Sequence, residues 1–197
     1  MFKLLDVFFE NKEIDSGGAR VNSYSVEFYK KTYDLYEEIN YDKREPFTVN
    51  NNIHYQNEIK YLKKLEHYNI TPKIIDINNN SLILSNCGEC LNEKNLPQNW
   101  KEQICDIYKI LKKENIYHND MKLDNFTVKN EQIFLIDFGW SSDNIPGYPY
   151  LNINIEIINN SDNLNELFNK IYNRCSSLIL NCSLNLNNAL NDLRTDL

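Results

Sequence analysis

The stretch Ile116-Tyr117-His118-Asn119-Asp120-Met121-Lys122-Leu123-Asp124-Asn125 is dense in polar groups and lies between two strongly patterned neighbours. Before it, Trp100, Ile104, Ile107 and Leu111 recur at i, i+4, i+7 and i+11, the stripe of an amphipathic helix over Trp100 to Lys113. After it, Phe126 to Val128 and Ile133 to Ile136 flank a Lys129-Asn130-Glu131-Gln132 turn and read as a hairpin, which runs out into Asp137-Phe138-Gly139. A polar loop pinned between a helix and a hairpin is a natural place for function.

The rest of the chain can be ordered around that loop. Lys3 to Phe9 is apolar and β-rich, Asp15 to Gly18 is a turn, and Val21 to Tyr29 alternates as a strand. From Tyr55 the period changes: Tyr55, Ile59, Leu62 and Leu65 predict a helix to Glu66, ended by Pro72. Lys73 to Ile77 and Ser81 to Ser85 form strands about the Asn78-Asn79-Asn80 turn. A tail helix spans Asp162 to Tyr172, and a weaker helical pattern runs through Leu186, Ala189, Leu190 and Leu193. Strands, helix, strands, helix, loop, hairpin and helices in that order make an α+β fold.

The loop and the Asp-Phe-Gly ending carry a resemblance. His118-Asn119-Asp120, Lys122 two residues on, Asn125 five on, and Asp137-Phe138-Gly139 resemble the catalytic loop and D-F-G of the protein-kinase superfamily. The resemblance covers about residues 55 to 142 and implies a two-lobed protein-kinase-like fold with a reduced C-lobe. It divides the chain into residues 1–86 and 87–197. It implies ATP and Mg²⁺ as cofactors, with Asp120 and Lys122 catalytic and Asn125 and Asp137 as metal ligands. Glu58 falls where the regulatory helix carries its ion-pairing glutamate, and Asn86 and Gly88 fall in the hinge that would bind the adenine edge. The chemistry suits the residue types. Hard oxygens hold magnesium, a carboxylate orients the acceptor hydroxyl, and a lysine stabilises charge on the transferring phosphate.

The chain departs from the family pattern in three places. No G-x-G-x-x-G loop is present, and Gly17-Gly18 is a weak substitute. The lysine expected to pair with Glu58 lacks its usual context; Lys43 has the better spacing and Lys30 the better strand. Only 58 residues follow Gly139, so the substrate-docking helices must be reduced. Compact relatives of this kind include RIO-type, lipopolysaccharide-core and aminoglycoside or choline kinases. Lys122 favours the Ser/Thr protein kinases, and the Ile136-to-Ser141 ending is similar to kinase-like proteins of giant DNA viruses. A protein Ser/Thr kinase is therefore expected, with a pseudokinase and a small-molecule kinase as alternatives.

Composition narrows the partners. The 42% hydrophobic and 12% aromatic content supports a packed core, against a disordered or fibrous chain. The formal charge of −7 argues against broad binding to nucleic-acid phosphates or a polybasic membrane anchor. No window reaches the roughly eighteen apolar residues of a membrane span, and the N-terminus has no signal-peptide pattern. A cytoplasmic, intracellular protein is expected, with a protein substrate and an oligomeric state left open. Five cysteines are read as free thiols, because the lone Cys87-x-x-Cys90 cannot complete a zinc site. The 33 asparagines are interleaved with Ile, Leu and Phe and reflect A/T-rich coding rather than a prion-like tract.

Overall fold

The computed structural model describes residues 13–16, 19–23, 27–33, 36–39, 47–50, 52–144 and 152–176. The strand expected at Lys3 to Phe9, the Gly17-Gly18 turn, Lys43 and the last helical pattern all lie outside these residues.

Five antiparallel strands form the first sheet, in the order β1 (Glu13–Ser16), β2 (Ala19–Ser23), β3 (Phe28–Tyr33), β7 (Ser81–Ser85), β6 (Ile74–Asn78). A separate pair joins β4 (Tyr36–Ile39) to β5 (Phe47–Asn50). Helix α1 (Asn52–Leu65) follows. It buries Tyr55, Tyr61, Leu62 and Leu65, and with them Glu58. A charge on that face contradicts simple amphipathic patterning and marks a paired group.

Beyond β7 the chain crosses to a three-stranded sheet of β8 (Glu89–Cys90), β9 (Phe126–Lys129) and β10 (Gln132–Leu135). Helix α2 (Trp100–Lys113) has the expected bounds and buries the expected stripe of Trp100, Ile104, Ile107 and Leu111. Asn130 and Glu131 both have positive φ, 50° and 63°, the mirror-image turn that suits a two-residue hairpin. A five-residue helix, α3 (Ile155–Asn159), starts at Asn154, whose Oδ1 accepts from the Ile157 N–H at 2.8 Å. A further helix, α4, spans 164–176. Asn163 caps it by accepting from the Glu166 N–H, and the Glu166 carboxylate in turn accepts from the N–H of the exposed Asp162 at 2.7 Å.

One core runs through both halves, from Tyr33 and Leu84 to Phe126, Ile133, Ile158 and Leu167. Phe126 meets Phe168 of α4 edge to face at 5.5 Å. Among the described residues no helix is long and apolar enough to cross a membrane.

Candidate active site

Strand alternation builds one half of the site. Residues 31 and 33 share a face of β3 and are buried, while Thr32 between them is only partly so. Lys31 Nζ lies 2.8 Å from Glu58 Oε2 and 2.8 Å from Asp137 Oδ1. Tyr33 donates its hydroxyl to the same Glu58 oxygen at 3.0 Å. The lysine that meets Glu58 is thus Lys31, in place of the expected Lys30 and Lys43. The strand continues four residues past Tyr29, so parity turns Lys30 to the opposite face and Lys31 toward Glu58 and Asp137. Sequence reasoning ended this strand too early; the F-Y-K-K-T-Y alternation was the available signal.

The electrostatics follow from burial and pairing. Burial favours a neutral Glu58 and raises its pKa, with Lys31 and Tyr33 pulling the other way. Burial also works against the Lys31 charge, but Asp137 and Glu58 outweigh it and hold the ammonium well above its usual range. For Asp137 burial pushes up, and the Lys31 charge and hydrogen bond override it, bringing the carboxyl down to about 2. Two carboxyl groups thus embrace one ammonium.

The second half comes from the loop. His118 is fully buried, donates Nε2–H to Ile136 O at 3.0 Å and packs edge to face on Phe138. Burial depresses its pKa, so it remains a neutral strut. Asn125, also buried, donates to Asp120 O at 2.7 Å and Asp120 Oδ2 at 3.0 Å. Lys122 Nζ sits 3.0 Å from the same Oδ2. These donors on Oδ2 leave Oδ1 of Asp120 for another partner. The structure thus joins Glu58 and Asp137 through Lys31, and Lys122 and Asn125 through Asp120.

Asn119 and α1 fix the turn after Asp137. Asn119, at φ 70°, donates to Trp140 O at 2.8 Å and Ser142 Oγ at 3.0 Å, and exchanges two bonds with Asn152. From α1, His54 Nδ1 and Asn57 Nδ2 both donate to Gly139 O, at 3.1 and 3.0 Å. Lys60 pairs with Asp143.

The hinge differs from expectation in one respect. The Asn86 N–H donates to Glu27 O at 2.7 Å, and its carbonyl accepts from Lys129 Nζ at 2.9 Å. Both main-chain groups of Asn86 are thus engaged within the protein, and Cys87 is the next residue able to present main-chain groups to an adenine edge. Gly88 has φ 91°, and a Cβ there would lie 1.9 Å from Val128 O, so only glycine passes over β9.

With the site assembled, comparison with known proteins becomes informative. The RIO domain family model matches residues 19–173. The chain belongs to the RIO domain family. That family is one of atypical protein-kinase-like, ATP-binding phosphotransferases, so the α+β kinase-like fold follows from membership. Among the solved structures, 540 chains match this RIO domain. One of them, the crystal structure of WbdD, has 18% sequence identity and a TM-score of 0.51; the match covers 72% of this chain and 34% of that one. The domain thus spans about a third of that protein's length, and the likeness is one of fold. No curated protein matches in sequence.

Proposed function

We propose that this RIO domain transfers a phosphoryl group from ATP to a serine or threonine hydroxyl of a protein, with Mg²⁺. The convergence of Lys31, Glu58 and Asp137 on one side of the cleft, with Asp120, Lys122 and Asn125 on the other, carries the proposal. Residues 1–86 and 87–197 are taken as the two lobes that meet there.

The oxygens present suit magnesium. Asn125 uses its amide nitrogen on Asp120, which turns its Oδ1 away, and Asp137 gives only Oδ1 to Lys31. Two hard oxygens from neighbouring strand ends match an ion that takes few protein ligands and shares phosphate and water for the rest. When bound, the ion neutralises phosphate charge. Lys31, held by Glu58, is placed to grip phosphate oxygens once a ligand competes with Asp137. Asp120 accepts the acceptor hydroxyl through its remaining oxygen, and Lys122, partly exposed beside it, offers a cation to the moving charge. A protein acceptor suits a carboxylate and lysine that both reach the surface.

Incubation with labelled ATP and Mg²⁺ tests this, scoring transfer to generic protein acceptors. Transfer by wild type and its loss in Asp120→Ala are expected. Equal incorporation by both proteins would refute the assignment.

A further inference from the structure

Lys31 and Tyr33 share the face of β3 that meets Glu58, and strand parity puts Tyr29 on the same face. Two residues from Lys31 is roughly 7 Å along the strand, toward the hinge: Tyr29 is paired with Leu84 of β7, one position from the pair Phe28 with Ser85 at which β7 ends. Tyr29 is half-buried and packs against the core. The groups acting on its hydroxyl are Cys87 of the hinge, then Glu58, Lys31 and Asp137, and burial above all pushes its pKa up. Parity and register thus place Tyr29 on the Lys31 face of β3, at the end nearer the hinge.

Strand β9, beside the hinge, carries a second unusual group. Phe126 and Val128 of β9 join the core, so Thr127 projects from the other face, beside Cys90 as β8 leaves the hinge. Thr127 is 6% exposed, and its Oγ1 has no hydrogen-bond partner among the described residues. A buried hydroxyl without a partner is destabilising, and a polar ligand edge would satisfy it.

We propose that Tyr29 occupies the subsite of the nucleotide base and must swing out before a base can enter, while the phosphate end stays open. The displaced ring would expose Thr127 Oγ1 and the main chain of Cys87 to the base. This rests on the cleft being a nucleotide site. It makes Tyr29 a residue that sets how much the base, as opposed to the phosphates, contributes to binding.

Calorimetric titration of the full chain in Mg²⁺ with ATP and with inorganic tripolyphosphate tests it. Tyr29→Ala should gain about tenfold or more in ATP affinity, with tripolyphosphate unchanged within about twofold. Tyr29→Val, which keeps a strand-forming residue, should gain likewise, and guards against an alanine variant that fails to fold. Tyr29→Trp should lower ATP affinity. ATP affinity that stays constant or falls in Tyr29→Ala and Tyr29→Val, as a ring stacked on the base would give, overturns the proposal. Failure of the nucleotide-site assignment itself has a different signature: tripolyphosphate would bind wild type and Lys31→Ala equally.

Discussion

Replacing Lys31 by methionine keeps an unbranched side chain, one atom shorter, and removes its charge. Two carboxylates then face each other, Glu58 at 1% and Asp137 at 30% side-chain exposure. Breaking a buried pair by removing one partner costs about 3–5 kcal/mol, a large part of the roughly 5–15 kcal/mol that holds a domain together. The penalty should depend on pH in a defined sense. In wild type, Lys31 helps bring Asp137 from an ordinary 3.8 to about 2, and at 1.36 kcal/mol per unit that is worth about 2 kcal/mol. A depressed carboxyl contributes stability above its unfolded value and loses it as pH falls toward 2. Lys31→Met has no such contribution to lose. Its Glu58, already raised by burial, rises further and is neutralised on mild acidification, which relieves the variant. Urea unfolding at pH 7, 5 and 3 should show a deficit of about 3–5 kcal/mol at pH 7 that narrows by about 2 kcal/mol or more toward pH 3. A deficit constant over that range would show that the three groups are not coupled as described.

Asp120→Asn should leave ATP affinity nearly intact while turnover falls on the order of 10²–10⁴-fold, measured by calorimetry and a transfer assay side by side. Gly88→Ala should cost about 2 kcal/mol or more in thermal or urea unfolding, because its Cβ would meet the Val128 carbonyl in a left-handed backbone. Treatment with a broad phosphatase should leave transfer rates unchanged, since neutral bonds from Asn119 already hold Trp140 and Ser142; Asn119→Ala should slow transfer instead. Between pH 7.5 and 5.5 wild-type stability should fall, because the folded chain binds the His118 proton less readily than the unfolded one; the urea midpoint of His118→Gln should lose this slope.

Legibility in the sequence followed how local the determinant was. Helix α2 was readable at both ends because its burial stripe and helical period coincide. The β9–β10 hairpin was readable because turn and alternation agree. Strand β8 has only two residues and exists through its register with β9, which no local pattern encodes. Helix α3 is too short for a period to show and rests on the Asn154 cap and on Ile158 in the core. Asp120, Lys122, Asn125 and Asp137 are close in sequence or at a strand end, so motif order placed them. Lys31 was missed for want of two strand residues, and the roles of His54, Asn57 and Asn152 arise from contacts between distant segments.

The double acceptor at Gly139 O also bears on how the cleft can open. By sequence, α1 belongs with the first sheet; by its bonds from His54, Asn57 and Lys60 it is fastened to the segment after Asp137. Its ties to the sheet pass through Lys31 and Tyr33 to Glu58, and through Tyr55 to Asn78. Helix α1 is therefore tied to both sides of the site at once, and Glu58, held by Lys31 and Tyr33, sits where those ties meet, so any opening between the sheet and the segment after Asp137 has to strain these bonds first.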